Sequence, residues 1–278
     1  MSIITDIKGT FKLHNEVEIP YLGLGVYLSQ EGVEVENAVK WALATGYRHI
    51  DTASIYKNEV GVGRAIREAK IPRSDLFITT KVWNTDQGYE TTLAAFDQSM
   101  ERLGLDYLDL YLVHWPVKGK YKETWRAMEQ LYRSGRVRAI GVSNFLKHHL
   151  EDLFTDIAVK PMVNQMEFHP WLVQQELLDF CEDHQIRYQA WSPLMQGNIT
   201  DVPEIQALAA KYRKTPVQIV LRWNLQKGVV TIPKSSNKKR IISNAQLFDF
   251  ELKHSDIQQI DGLERKHRFG PDPDHFDF

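Results

Sequence analysis

The chain has 278 residues, of which 43% are hydrophobic and 25% are charged. This composition provides a sizeable core and an ordinary charged surface, which excludes a disordered chain. The formal net charge of -2 gives no general attraction to nucleic acid or to an anionic membrane, so we predict neither partner. Because α/β barrels of about 250 residues commonly form one domain, we predict a single domain over residues 1–278.

The only cysteine is Cys181, in a segment of helical spacing. A lone cysteine cannot form an intrachain disulfide, which favours a reducing compartment and a packing role. The N-terminal stretch MSIITDIKGTFKLH has no apolar run typical of a signal peptide, and no stretch approaches the roughly 20 apolar residues of a membrane helix. We therefore predict a cytoplasmic protein, and we expect a monomer.

Strand-like runs alternate with amphipathic segments along the chain. The first run, TFKLHNEVEIP (10–20), has the alternation and central Asn of a short β-hairpin. Eight strand candidates follow, at 21–26, 48–53, 76–82, 108–114, 137–143, 162–168, 187–193 and 229–234. Segments of helical spacing that end at a glycine lie between them, such as 33–46, 89–104 and 121–135. The final FGPDPDHFDF (269–278) is expected to lie as a tail over the barrel surface.

Eight strands that alternate with helices predict right-handed parallel crossovers. Eight such units close into a (β/α)8 barrel, which is our predicted fold class, together with the N-terminal hairpin. A doubly wound parallel sheet is the competing topology.

Two short motifs do not support the chemistry that they first suggest. Gly61-Val-Gly63 begins like a dinucleotide-binding loop, but it follows no strand and has Ile66 where a third glycine or alanine is needed, so it predicts a helix start. His148 and His149 are adjacent, and neighbouring side chains on a helix point about 100° apart, so we expect no shared metal ion. We predict no metal site.

Four polar residues lie at or just past the ends of the strand-like runs RHIDTASIY, LFITTKVW and LDLYLVHWP: Asp51, Tyr56, Lys81 and His114. In a parallel barrel the C-terminal strand ends meet at one mouth, which brings such residues together. Each has an ordinary alternative role when taken alone, as a helix cap, surface packing, a solvated cation or a core histidine.

Together these residue types form a working set. A tyrosine hydroxyl is a weak acid, and a nearby ammonium such as that of Lys81 lowers its pKa by stabilising the phenolate. Lys81 needs a counter-ion in a partly desolvated pocket, which Asp51 can provide. His114 can orient a carbonyl oxygen by a hydrogen bond. This set suits protonation of an oxygen that gains negative charge when hydride reaches an aldehyde or ketone.

Several longer runs resemble the aldo-keto reductase family, in family order and over nearly the whole chain: GYRHIDTASIYKNE, FITTKVWN, LDLYLVHWP, VRAIGVSNF, VNQMEFHP, AWSPLMQG and TIPKSSNKKRIISNA. The resemblance implies a barrel that binds NADPH without a Rossmann fold. It implies Tyr56 as general acid, Lys81 tuning it, Asp51 paired to Lys81, and His114 orienting the substrate.

The same resemblance implies the residues that hold the cofactor. Ser143, Asn144 and Gln165 would hold the nicotinamide carboxamide, and Trp191 would stack on the ring, although packing at the barrel mouth is its simpler role. Lys234, Ser235 and Arg240 would embrace the adenosine 2'-phosphate, which favours NADPH over NADH; a solvated basic loop is the alternative. Asn244 would contact adenine, whereas Ser243 stands where many members have Glu. The remaining predicted contacts are Gly25, Ser192, Leu194 and Ser236.

Tyr27, Trp83 and Trp115, with His114, match positions that line the family's substrate pocket, where core packing is the alternative role. The short tail resembles bacterial glyoxal, methylglyoxal and 2,5-diketogluconate reductases and trypanosomatid prostaglandin F synthases. It predicts an open site for small aldehydes, dicarbonyls and keto sugars. Two other functions compete: a non-catalytic NADP(H) sensor like the barrel subunits of potassium channels, and an unrelated barrel lyase or isomerase.

Overall fold

The structure is a computed structural model that describes residues 4–278; the first three residues of the N-terminal stretch considered above lie outside the described part. Two short strands, β1 (Thr10–Lys12) and β2 (Glu18–Pro20), pair antiparallel, with Phe11 opposite Ile19. The predicted hairpin is therefore confirmed.

Parallel strands and helices then alternate. The strands are β3 (Gly23–Gly25), β4 (His49–Asp51), β5 (Phe77–Val82), β6 (Leu108–Val113), β7 (Val137–Ser143), β8 (Val163–Glu167), β9 (Arg187–Trp191) and β10 (Val230–Thr231). The helices are α1 (Val33–Thr45), α2 (Glu59–Glu68), α3 (Tyr89–Leu103), α4 (Tyr121–Arg133), α5 (Lys147–Phe154), α6 (Gln175–Asp183), α7 (Pro203–Tyr212), α8 (Pro216–Gln226), α9 (Lys238–Asn244) and α10 (His254–Asp261).

The eight parallel strands pair in sequence order and close on themselves. Strands β3 to β10 form one sheet, and parallel bridges from Leu22 to Thr231 and from Gly25 to Lys234 join its two ends. A Cβ atom at Gly25 would lie 2.8 Å from the carbonyl oxygen of Ile232, so the absence of a side chain there allows the ends to meet. The predicted (β/α)8 barrel is confirmed, and the doubly wound sheet is excluded.

Strand lengths differ around the barrel. Strand β7 matches its predicted run of 137–143, whereas β10 covers only Val230–Thr231 of the predicted 229–234. At the closure, single bridges replace a regular ladder, so extended residues there are not counted as strand. All residues of β5 and β6 are buried, as expected for strands with packed side chains inside and helices outside. No helix within residues 4–278 is long and apolar enough to cross a membrane.

Gly61 and Gly63 lie inside α2, which confirms that they mark a helix rather than a phosphate-binding loop. A Cβ atom at Gly61 would lie 2.5 Å from Cγ1 of Val35, and one at Gly63 would overlap the carbonyl oxygen of Leu103 at the end of α3. The two glycines therefore allow α2 to pack closely against its neighbouring helices.

We predict that Gly63→Ala lowers the free energy of unfolding by about 1–3 kcal/mol, because the added methyl group meets backbone that cannot rotate away. Alanine has the higher helix propensity by about 1 kcal/mol, so propensity alone predicts the opposite sign. Urea unfolding measures the difference. Gly262→Ala is the matched control, since its nearest neighbouring atom would lie at 3.4 Å. Equal stability of the two variants would contradict the packing argument.

Candidate active site

The four polar residues singled out in the sequence meet at the mouth of the barrel. Asp51 ends β4, Lys81 lies near the end of β5, and His114 directly follows β6. Tyr56 ends a short 3-10 turn, Ser54–Tyr56, after β4. Its ring centroid lies 5.1 Å from Lys81 Nζ and 5.8 Å from the centroid of the His114 ring. The predicted convergence is observed.

Lys81 and Asp51 form an ion pair that is almost completely buried. Lys81 Nζ donates to Asp51 Oδ1 at 2.5 Å and to the carbonyl oxygen of Thr52 at 2.8 Å. The other carboxylate oxygen of Asp51 accepts from Gln165 Nε2 at 2.7 Å. Burial raises the pKa of Asp51 and lowers the pKa of Lys81, and the partner's charge offsets part of each shift. Each charge is therefore held in place by the other.

The expectation that Lys81 lowers the pKa of Tyr56 is wrong for this structure. Burial raises the pKa of the Tyr56 hydroxyl well above its ordinary value, and the negative charge of Asp51 and the neighbouring Tyr27 add to the rise. The physical reason is that burial removes the water that would stabilise the phenolate. Tyr56 is consequently protonated at neutral pH and has a proton to donate.

His114 is neutral at the same site. Its pKa lies well below the ordinary value because of burial and, secondarily, the positive charge of Lys81. Its ring contacts Trp83 edge-on, with centroids 5.1 Å apart, as well as Tyr56. A neutral imidazole can donate one N–H to a carbonyl oxygen without competing for the Tyr56 proton.

The loop that presents Tyr56 depends on Asn58, which the sequence analysis did not single out. Asn58 is completely buried; its Oδ1 accepts from Thr52 Oγ1 at 2.7 Å, and its Nδ2 donates to the carbonyl oxygens of Val26 and Ser29. A buried amide with all these contacts fixes the path of residues 52–58. Asn58 directly precedes α2, where the sequence predicts at most a helix cap and not these contacts with the loops.

The residues expected at the nicotinamide form a connected network next to the ion pair. Ser143 Oγ donates to the carbonyl oxygen of Gln165 at 2.9 Å, and Asn144 Nδ2 donates to that of His114 at 2.9 Å. Trp191 Nε1 donates to Asn144 Oδ1 at 2.9 Å, which fixes one edge of the indole. Amide and hydroxyl groups beside a partly exposed indole suit a carboxamide-bearing aromatic ring, so these residues fit the cofactor chemically.

The loop after β10 and the helix α9 carry the remaining predicted cofactor contacts. Lys234 and Arg240 are exposed, Ser235 and Asn244 are buried, and Ser236 is half-buried. Asn237 Oδ1 accepts from the backbone amides of Lys239 and Arg240 and so caps α9. Within residues 4–278 neither cation has an acidic partner, and two exposed cations this close in sequence fit a phosphate group. Of the other predicted contacts, Ser192 and Leu194 are half-buried after β9, and Gly25 is explained by barrel closure.

The expectation of an open substrate site is wrong on the side that the tail covers. Trp83 stacks on Phe278 with ring planes 8° apart, and Trp115 contacts both Phe276 and Phe278 at centroid distances of 5.1 and 5.3 Å. Tyr27, by contrast, is 56% exposed and contacts Tyr56. The tail lies over the barrel as predicted, but its aromatic residues reach the expected substrate pocket. The alternation Phe-Asp-Phe at 276–278 was the available signal.

His148 and His149 approach the same carboxylate, contrary to the expectation from helical spacing. Their Nε2 atoms lie 2.9 and 3.4 Å from Asp274 Oδ1, because the tail brings Asp274 between the two rings in the first turn of α5. The backbone amide of Leu146 donates to His149 Nδ1 at 3.2 Å, so the proton of the neutral ring is on Nε2. Burial, then the neighbouring His148, lowers the pKa of His149 to about 4. His148 Nε2 is hydrogen-bonded to Asp274 Oδ1 and His149 Nε2 lies close to the same atom, so the two rings hold the tail at this point.

We predict that Lys81→Met destabilises the protein by about 3–5 kcal/mol, because it leaves the buried Asp51 carboxylate without a cation. The double variant Lys81→Met/Asp51→Asn should recover most of that loss, since no unpaired charge remains. Urea unfolding of both variants tests this. Lys147→Met, which breaks the exposed Lys147–Glu176 pair, is the control and should cost less than about 1 kcal/mol. Additive losses in the double variant would contradict the pairing argument.

Comparison with known proteins agrees with this geometry. The sequence pattern of the Aldo/keto reductase family matches residues 22–265. Glyoxal reductase of Bacillus subtilis is 58% identical over 274 residues, 99% of each chain. The 9,11-endoperoxide prostaglandin H2 reductase of Trypanosoma cruzi is 54% identical, with 95% of this chain and 94% of that protein covered. The crystal structure of the Gox0644 D53A mutant in complex with NADPH superposes with a TM-score of 0.93 at 42% identity, covering 97% of this chain and 99% of that one. The chain belongs to the aldo-keto reductase family and is an oxidoreductase.

Proposed function

We propose that this protein reduces small aldehydes and dicarbonyls to alcohols with NADPH, and that Tyr56 is the general acid. The observation that carries the proposal is a tyrosine held protonated by its surroundings, within 6 Å of a neutral histidine ring, beside a buried ammonium–carboxylate pair. A relative named for glyoxal reduction and a solved relative with bound NADPH support the substrate class and the cofactor.

The roles of the residues follow from their contacts. Bound NADPH supplies the hydride that goes to the carbonyl carbon. His114 donates a hydrogen bond that orients the carbonyl oxygen, and Tyr56 donates its proton to that oxygen as negative charge develops there. The phenolate that remains lies beside Lys81 Nζ, 5.1 Å from the ring centroid, and solvent returns the proton. Asp51 keeps Lys81 charged and fixed throughout.

The second part of the proposal is cofactor preference. Lys234 lies on the loop after β10 and Arg240 in the first turn of α9; both are exposed, and Ser235 lies between them in sequence with its side chain buried. A 2'-phosphate carries close to two negative charges and accepts several hydrogen bonds, so this loop favours NADPH over NADH. The carboxamide end would be held by Ser143, Asn144 and Gln165, as their network with Asp51 and His114 supports.

Tyr56→Phe should lower kcat by roughly three orders of magnitude while NADPH affinity stays unchanged, because only the transferable proton is lost. The measurement is loss of NADPH absorbance with glyoxal, methylglyoxal, a benzaldehyde or a keto sugar, with NADPH binding followed by fluorescence. Tyr107→Phe, which loses only a surface hydroxyl contact to the Arg73 carbonyl, is the control. Near-normal turnover by Tyr56→Phe would assign the acid elsewhere, and binding without turnover in the wild type would favour a sensor.

Replacing both Lys234 and Arg240 by Met should raise the Kd for NADPH by about a hundredfold and that for NADH by less than about threefold. The difference arises because only NADPH carries the phosphate that these cations contact. Lys239→Met removes the neighbouring charge in the first turn of α9 and should change both affinities little. Equal losses of affinity for both cofactors would contradict the assignment.

A further inference from the structure

Glu167, at the end of β8, is a completely buried carboxylate that the proposed reaction does not use. Its Oε1 accepts from the backbone amide of Phe269 at 2.6 Å, and Oε1 and Oε2 lie 3.3 and 3.2 Å from the amide of Gly270. His169 Nε2 lies 3.1 Å from the same Oε1. Within residues 4–278 no lysine or arginine contacts this carboxylate.

A buried charge is retained only where donors replace the lost water. Here the donors are mainly the two backbone amides at the beginning of the tail. Phe269 adds ring contacts to the same region, edge-on to His169 at 5.3 Å and stacked on Trp171 with planes 19° apart. Glu167 therefore fixes where the tail leaves the body of the barrel.

Gly270, the residue held by Glu167, packs against the indole of Trp191. A Cβ atom at position 270 would lie 3.0 Å from Trp191 Cζ3 and still closer to Cη2, so the backbone is in direct contact with the edge of the six-membered ring. The opposite edge of the indole is held by the Nε1 bond to Asn144 Oδ1 at 2.9 Å. Two fixed contacts on opposite edges determine the plane of the ring.

We infer that Glu167 is a positioning residue, which sets the plane of Trp191 through the backbone of Phe269 and Gly270. The inference rests on the proposed function and on the expectation from the family resemblance that the nicotinamide stacks on Trp191. An indole held at both edges would keep a ring stacked on it in one place at the barrel mouth. Small errors in that placement matter because hydride transfer depends steeply on the alignment of the reacting atoms.

The first test is Glu167→Gln, which keeps the size of the side chain but turns one acceptor oxygen into an NH2 group. Amide hydrogen exchange of Phe269 and Gly270 in the cofactor-free protein should accelerate by about tenfold or more. The Kd for NADPH should rise and kcat should fall, each roughly tenfold, while KM for the carbonyl substrate stays near its wild-type value.

The matched control is Glu129→Gln. Glu129 is also a buried carboxylate that accepts from two consecutive backbone amides, those of Ala158 and Val159, each at 2.7 Å, but it lies on α4 away from the mouth. This variant should accelerate exchange at its own amides and leave NADPH affinity and kcat unchanged. It separates a general effect of losing a buried charge from a specific effect on Trp191.

A second variant keeps the test decisive if Glu167→Gln does not fold. Gly270→Ala leaves Glu167 intact and displaces the indole directly, so it should produce a similar rise in Kd and fall in kcat. Three results would each overturn the inference. The first is faster amide exchange at 269–270 in Glu167→Gln with wild-type Kd and kcat, the second is unchanged exchange in that variant, and the third is a fully active Gly270→Ala. If the wild type oxidises NADPH and these variants do so equally well, the inference alone is contradicted. If the wild type does not bind NADPH, both the proposed function and the inference are contradicted.

Discussion

The buried pair of Lys81 and Asp51 is the constraint on which the rest of the mouth depends. Neither charge is stable there alone, and the pair is tolerated only because the Thr52 carbonyl and the Gln165 amide complete its hydrogen bonds. The first contact ties the loop after β4 to β5, and the second ties the end of β4 to β8. The positions of Tyr56 above the pair and of the polar network beside it therefore follow from the need to satisfy one desolvated ion pair.

The barrel makes that arrangement predictable from sequence to a considerable degree. Asp51, Lys81 and His114 end runs that alternate with helices, and parallel closure requires their side chains to meet at one mouth. The same holds for three local features whose sequence patterns each fit only one structure: the hairpin, the helix that contains Gly61 and Gly63, and strand β7. The family and its fold were accessible because they depend on strand order and residue type, both of which are written along the chain.

What could not be predicted depends on distances across the fold. The direction of the Tyr56 pKa shift depends first on how deeply the hydroxyl is buried and then on its distance from the Asp51 carboxylate, and residue type alone decides neither. The shared contact of His148 and His149 requires Asp274, more than a hundred residues later, to arrive between them. Helical spacing gives only the directions of side chains around their own helix. It therefore does not predict a contact with a residue from a distant part of the chain.

The tail shows how a short segment can cover one side of a pocket. Its start is fixed by Glu167 at Phe269 and Gly270, and Asp274 is fixed by the two histidines, so only three residues between these anchors are free to vary. Ordering so few residues costs little conformational entropy, and the remaining residues need only the stacking of Phe278 on Trp83 and the bond from Asn84 Nδ2 to the Phe278 carbonyl at 3.0 Å. A longer loop would lose more conformational entropy on covering the same side of the pocket. The cover on this side of the mouth therefore depends on closely spaced anchors rather than on a long loop.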